Sequence, residues 1–316
     1  MKPKIIIAGG TGFLGQYLAR YFAEKGFQLI ILSRKGHENQ ENIRYLKWDG
    51  KNQGSWSKVL DGAAAVINLA GKSVNCRYTP KNRRIILESR IDATRAIGEA
   101  IKSCSQAPQL WINAASSTIY EHTEEGPAND EYDGKIGDDF SMNVCKAWEE
   151  TFLNYATPQT RKIYLRIGIV LGKEGGALPP NINLVKLGLG GKQGSGQQYI
   201  SWLHIEDLAR IISFLQDRKV LNGCFNCVSP HPVRNAEFMK LLRKKWKASF
   251  GLPSPAWLLK IGAVLIGTET ELILKSRKVA PRRLLEAGFE FKYPDLTFAL
   301  DALKNEDSVI SDPVSQ

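Results

Sequence analysis

The segment Lys4-Ile5-Ile6-Ile7-Ala8-Gly9-Gly10-Thr11-Gly12-Phe13-Leu14-Gly15 leaves the start of this chain few ways to fold. A short, unbroken apolar run reads as a strand covered on both faces. Leu14, Leu18, Tyr21 and Phe22 then recur with helical spacing. Between strand and helix stand Gly9, Gly12 and Gly15, three residues apart. In such a turn the missing side chains have separate uses: a tight bend, close approach of backbone N–H groups to a diphosphate, and close packing of helix on sheet. The helix start adds the positive end of its dipole. A glycine triplet alone says little, but this one follows a strand and opens a helix, as a dinucleotide-binding turn must. Gly9, Thr11, Gly12, Phe13, Leu14 and Gly15 are therefore the expected diphosphate contacts.

The same texture continues. Short apolar runs at 28–32, 43–48, 64–69, 109–114 and 162–166 read as strands, with helices at about 81–103 and 138–155. Strands alternating with helices predict an α/β fold, a Rossmann-like doubly wound parallel sheet. After Gly172 the chain becomes glycine-rich, then mostly helical beyond residue 233, with a helix at 204–216 and a strand at 224–228 in between. The expected organisation is a dinucleotide-binding domain of residues 1–172 plus 204–228. A smaller, mostly helical C-terminal substrate lobe of 173–203 plus 229–304 would cap the cleft, and 305–316 would form a disordered tail. Small-molecule sites favour such seams, so 194–199 and Trp202 are expected to border the substrate.

The end of the second strand specifies the cofactor. Sites selective for NAD usually place an acid there for the ribose 2′-hydroxyl. Here the chain reads Leu32-Ser33-Arg34-Lys35. Arg34 suits a bidentate pair with a 2′-phosphate, beside Ser33 and Lys35. The expected cofactor is NADP(H).

Composition narrows the partners. Lys and Arg number 43 against 32 Asp and Glu, a net charge of +11. Such a surface suits anionic ligands. Basic clusters at 240–247 and 277–283 come with no helix-turn-helix, zinc-finger or RNP signature, so a small-molecule substrate is expected and specific nucleic acid is not. Five scattered cysteines do not read as a disulfide framework and fit a reducing cytoplasm. Cys224 and Cys227 are three apart on a strand, hence on opposite faces, and no metal is expected there. His204 reads as a capping or packing residue. No signal peptide is visible, and the apolar stretch 256–267 contains Lys260 and is shorter than the roughly 20 residues needed to span a bilayer. It is expected to be a helix packed in a core or groove, with no membrane partner.

Further motifs resemble the extended short-chain dehydrogenases/reductases. Asn68-Leu69-Ala70-Gly71 is similar to their cofactor-lining fourth-strand motif. Ala115-Ser116-Ser117-Thr118-Ile119-Tyr120 resembles the strand end with their catalytic serine, and Trp202-Leu203-His204-Ile205-Glu206-Asp207 the opening of a late helix. Ser89-Arg90-Ile91, the run Arg166 to Gly172, the run Pro281 to Phe289 and Tyr293-Pro294-Asp295-Leu296 are more specific. They resemble the atypical YfcH-like epimerase subgroup, which carries a C-terminal domain of unknown function. The resemblance spans roughly residues 4–303. It implies cofactor contacts at Leu69, Ala70 and Gly71, and an oxidoreductase or epimerase acting on a small polar substrate. Related folds also form homodimers through a four-helix contact.

One expected residue is missing. In that family a Ser, a Tyr and a Lys assist hydride transfer, with Tyr and Lys four apart on one helix face. Lys146 and Glu150 fit their places here, but the tyrosine place is Met142. A thioether has no transferable proton. General acid–base groups typically contribute roughly 10²–10⁴-fold, so the loss matters. Tyr120, just past the serine strand, is the expected substitute, with Tyr132 next. Otherwise Ser116 acts with water, or the protein binds NADP(H) without catalysis, as a regulator or sensor.

Overall fold

In the computed structural model, which describes residues 2–267 and 269–310, strand β1 (Lys4–Ala8) lies inside a sheet, with Ile5, Ile6 and Ile7 fully buried. Strands β2 (Gln28–Ser33) and β3 (Ile43–Lys47) add on one side. On the other side come β4 (Ala65–Asn68), β5 (Leu110–Ser116) and β6 (Arg161–Ile167). These neighbours pair parallel, with Ile6 between Ile30 and Val66. Parallel pairs need long crossovers, which helices α1 (Phe13–Glu24), α2 (Pro80–Lys102) and α3 (Phe140–Leu153) help supply. Helix α2 starts where Thr79 accepts the Asn82 N–H at 3.2 Å, with Pro80 first in the helix. One apolar cluster joins Ile6, Ile30, Val66 and Trp111 of the strands to Ala93 and Ile97 of α2 and Phe152 of α3. Burying a large apolar side chain stabilises by roughly 1.5–3 kcal/mol.

Past Ile167 most strands are shorter. Strands β7 (Ile169–Gly172) and β8 (Gly175–Gly176) precede α4 (Leu178–Lys186), then β9 (Tyr199–Ile200) and β10 (Trp202–His204). Helix α5 (Ile205–Asp217) and strand β11 (Gly223–Cys227) follow, and β11 completes a seven-stranded sheet of order β11-β6-β5-β4-β1-β2-β3. The fold is thus the expected Rossmann-like sheet. Two basic residues opening β6 secure helix ends: Lys162 donates to the carbonyls of Phe152, Leu153 and Tyr155, and Arg161 to those of Leu215, Gln216 and Leu221. Strand β12 (Val233–Arg234) pairs with β9, and β7 pairs with both β10 and β8. Helices α6 (Asn235–Lys245), α7 (Ala256–Ile266), α8 (Glu271–Leu274), α9 (Arg282–Glu286) and α10 (Leu296–Ile310) complete the chain.

Two units result. Met1–Ile119, Ile136–Ile167 and Ala209–Phe225 form the first, and Tyr120–Lys135, Gly168–Leu208 and Asn226–Gln316 the second. The boundaries expected at 172, 204 and 228 differ from these. Segment 120–135 belongs with the later chain because Asn129 exchanges backbone bonds with Lys278 and Ala280. The second unit has its own core, in which Leu171, Trp202, Phe238, Met239, Leu242 and Leu300 cluster. Trp202, expected at the substrate, is instead wholly buried there and donates its indole N–H to the His231 carbonyl at 3.0 Å. The 188–196 stretch, within the glycine-rich segment after Gly172, is held by buried amides: Gln193 exchanges hydrogen bonds with Asn235, and Gln198 donates to the Gln193 carbonyl.

Two other expectations change. Helix α7 was expected to be covered, yet Trp257, Ile261 and Val264 on it are 64%, 52% and 60% exposed. An apolar composition predicts burial without saying what does the covering. Residues 305–310 continue α10 rather than opening a tail, and 311–316 lie outside the described residues. Among the described residues no helix is long and apolar enough to cross a membrane. Several basic residues of the expected clusters have internal partners: Lys245 pairs with Asp301, and Arg282 with Glu286 and Asp130.

Candidate functional site

The glycine turn joins the end of β1 to α1, within the first unit. Gly9 has φ +75°, and a Cβ there would lie 2.9 Å from the backbone of Leu69 and Ala70. The position takes glycine for both reasons. A Cβ at Gly15 would lie 2.4 Å from the Gly10 Cα, so the helix is seated directly on the turn. Gly12 differs: it is exposed, and the nearest atom to its Cβ position is the Gly9 oxygen at 3.7 Å. That open side is where a ligand can reach the backbone.

Gly12 is also the N-cap of α1, with no side-chain cap and no acid in the first turn. The N–H groups of Phe13, Leu14 and Gly15 therefore have no intrahelical acceptor. Uncapped donors, the helix dipole and a bare glycine edge fit the diphosphate of a dinucleotide. At the end of β2, Ser33 is buried and its hydroxyl accepts the Lys35 N–H at 3.3 Å. The side chains of Arg34 and Lys35 are exposed, and neither has a hydrogen-bond or ion-pair partner among the described residues.

The end of β4 is fixed by a buried polar network. Asn68 Nδ2 donates to Asn113 Oδ1 at 2.7 Å and to Thr94 Oγ1 at 3.2 Å, while its Oδ1 accepts the Ala70 N–H at 3.1 Å. Trp148 donates its indole N–H to Thr94 at 3.1 Å. Buried polar side chains with every partner in place set one geometry. Here that geometry is the backbone of Leu69, Ala70 and Gly71. Asn68 stood within a recognisable motif, but Thr94 and Asn113 carried no signal in the sequence, because their meeting depends on strand order.

At the end of β5, Ser116 donates to Thr118 Oγ1 at 3.0 Å and accepts the Thr118 N–H at 3.2 Å. Thr118 is a second hydroxyl that sequence reasoning left out, brought there by a single tight turn over Ser117–Ile119. Helix α3 begins at Asp139, whose carboxylate accepts the Met142 N–H at 2.9 Å. The Met142 sulfur in return accepts the Asp139 N–H at 3.4 Å. The side chain at the tyrosine place is thus buried and turned onto its own helix start. Lys146 Nζ lies 2.9 Å from Asp138, with the two side chains 39% and 85% exposed. The ammonium holds the Asp138 carboxyl below the usual carboxylate range. Glu150 is exposed, and the buried carboxylate of this helix is Glu149, gripped by Arg166 at 2.9 and 2.8 Å.

Tyr120 does not stand in for the tyrosine. Its ring is fully buried, and its hydroxyl lies 2.8 Å from the Asp130 carbonyl and 2.9 Å from Asn226 Oδ1. A phenol has one hydrogen, and two internal acceptors already hold it. Tyr132 is exposed and donates to Glu286 at 2.9 Å. His204 is a capping residue: Nδ1 accepts the Glu206 N–H at 3.1 Å, and the ring lies 3.9 Å from that of Tyr293. Burial pushes its pKa down to about 4. Asp207 beside it accepts the N–H groups of Lys292 and Tyr293, both at 2.9 Å.

Known proteins resemble this chain over most of its length. The model of the NAD dependent epimerase/dehydratase family matches residues 5–227, and that of a domain of unknown function, DUF1731, matches residues 254–303. Epimerase family protein YfhF of Bacillus subtilis is 34% identical over 306 residues, spanning 95% of this chain and 97% of its own. Epimerase family protein SA0724 of Staphylococcus aureus is 33% identical over 302 residues, spanning 95% and 99%. The crystal structure of human epimerase family protein SDR39U1 (isoform 2) with NADPH matches with a TM-score of 0.84 at 29% identity, covering 96% of this chain and 99% of that one. With one family model spanning most of its length and bacterial relatives aligned nearly end to end, this chain belongs to the NAD dependent epimerase/dehydratase family.

Proposed function

We propose that the chain is an NADP(H)-dependent oxidoreductase or epimerase acting on a small polar substrate, with Ser116 as the hydroxyl that meets the reacting oxygen. The observation that carries the cofactor choice is the end of β2. An exposed guanidinium without a partner among the described residues follows a strand end that lacks any acid. The similarity to SDR39U1, whose structure was determined with NADPH, supports the same choice. Bound nicotinamide would supply the hydride chemistry. The chain's own contribution is proton handling and positioning. Ser116 and Thr118, 3.0 Å apart, form a hydroxyl pair that can pass a proton outward. Among the described residues Lys146 is held only by an exposed ion pair with Asp138, and such pairs contribute at most about 1 kcal/mol. Its ammonium can thus exchange that partner for a hydrogen bond to a ligand hydroxyl.

Met142 favours a second reading, a cofactor-binding regulator without turnover. The sulfur capping Asp139 leaves no acid at that place. A hydride-transfer panel of carbonyls, sugars and nucleotide sugars separates the two, run with native protein, Ser116→Ala and Lys146→Ala. Turnover lost in both variants supports the enzyme. Turnover that survives both overturns these roles, and tight NADPH binding with no turnover on any substrate supports the regulator.

A further inference from the structure

The dipeptide Ser89-Arg90 on α2 has no place in the account above. Both residues hold the peptide that follows the β4 motif. Ser89 Oγ accepts the Lys72 N–H at 2.9 Å, and Arg90 Nη1 donates to the Lys72 carbonyl at 3.1 Å and to that of Ile86 at 2.9 Å. The guanidinium carbon lies 5.1 Å from the centre of the Trp148 ring, whose N–H is fixed by Thr94. Gly71 packs closely on this side chain: a Cβ there would meet Arg90 Cγ and Cζ at 3.3 Å and Nη1 at 3.4 Å.

A guanidinium has five N–H donors. Among the described residues Arg90 directs only Nη1 at acceptors, and no carboxylate pairs with it. A partly buried cation without a counter-charge is costly, and an anion removes the cost. Strand order says which anion. Arg34 follows β2, the glycine turn follows β1, and Gly71 with Arg90 lies past the end of β4, in the order β4-β1-β2. Neighbouring strands are about 4.8 Å apart. A dinucleotide with its 2′-phosphate at Arg34 and its diphosphate at the turn reaches Gly71 one strand further on.

We infer that Arg90 binds the cofactor diphosphate through the phosphate on the nicotinamide side. This rests on the cofactor reading above and adds to it a second cation, at the diphosphate rather than at the 2′-phosphate assigned to Arg34. Guanidinium–phosphate pairing uses the fork geometry of Nε and Nη2. Trp148 orients the plane and the Ser89–Lys72 bond holds the strand end beside it.

The test measures dissociation constants of three ligands for native protein, Arg90→Gln and Arg90→Lys. The ligands are NADPH, 2′-phospho-ADP-ribose, which lacks only nicotinamide, and adenosine 2′,5′-bisphosphate, which lacks the outer phosphate. Arg90→Gln is expected to weaken the first two about tenfold or more and leave the third within twofold. Arg90→Lys, which keeps the charge and loses the fork, is expected to show the same pattern with a smaller loss, and serves if the glutamine variant does not fold. Equal weakening of all three ligands overturns the assignment in favour of a structural role for Arg90. So does no weakening of any, or weakening of NADPH alone. Native protein that binds none of the three removes the cofactor reading itself, whereas native binding with unchanged variants removes only Arg90.

Discussion

The starts of α1 and α3 are built oppositely. Helix α1 begins at an exposed glycine with no side-chain cap, so its first N–H groups stay available. Helix α3 begins at Asp139, and both the carboxylate of Asp139 and the sulfur of Met142 close its first turn. The start of α5, in the second unit, is closed by His204 Nδ1. An orphan donor that is free is an anion site, and one that is capped is a stability device. The cofactor end of the first unit is therefore preformed for a ligand, while the place of the usual tyrosine contributes to holding the fold.

Four measurements break or sharpen that contrast. Gly15→Ala puts a methyl against the Gly10 backbone and is expected to cost about 3 kcal/mol or more, as overpacking against rigid neighbours does. Gly12→Ala, on the open side, is expected to change stability by less than about 1 kcal/mol yet weaken NADPH binding. Thermal melting and ligand titration of the two variants give the answer, and a Gly15→Ala protein as stable as native would break the account of the turn. The closed start of α5 is next. His204 is neutral in the folded state, its pKa lowered by burial to about 4 from 6.5. Above pH 6.5 both states are neutral and its contribution is fully present. As pH falls from 6.5 to 4 the unfolded chain takes up the proton first, and stability drops by about 3 kcal/mol. Urea unfolding of native protein and His204→Gln across that window is expected to show the steeper slope in the former, and equal slopes would break the account.

Smaller effects test the open end and the closed end directly. Arg34→Ala is expected to weaken NADPH about tenfold, about 1.4 kcal/mol, and leave NADH unchanged, read by fluorescence titration. Equal losses for both would remove Arg34 from the 2′-phosphate. Asp139→Ala is expected to cost about 1 kcal/mol, as N-cap loss does, with NADPH affinity unaltered. A change in affinity there would mean that the start of α3 also serves the ligand.

Much of the first unit was legible in sequence. The β1 run, its glycines and α1 were found nearly to the residue, because diphosphate turns are local: strand, bend and helix start lie within about a dozen residues and obey backbone rules. The missing tyrosine was legible for the same reason, through i, i+4 spacing on one helix. Thr118 escaped because its role depends on a single tight turn after β5. Tyr120 was misread as a proton donor, since the sequence does not show Asp130 and Asn226 on its hydroxyl. Trp202 was placed at a ligand by its neighbours in the chain, but a core formed from residues 171 to 303 took it.

Residue order by itself determined the sheet class, the glycine turn, the basic strand end at Arg34 and the loss of the acid at position 142. Each is a short-range pattern whose physics is complete within a few residues. Tertiary structure decided which hydroxyls and cations stay available: Tyr120 is taken up by Asp130 and Asn226, Ser116 gained Thr118, and Arg90 came to lie under Gly71 with no carboxylate partner among the described residues. Availability of a polar group is set by what else is buried beside it. That is fixed only when strands distant in the chain become neighbours.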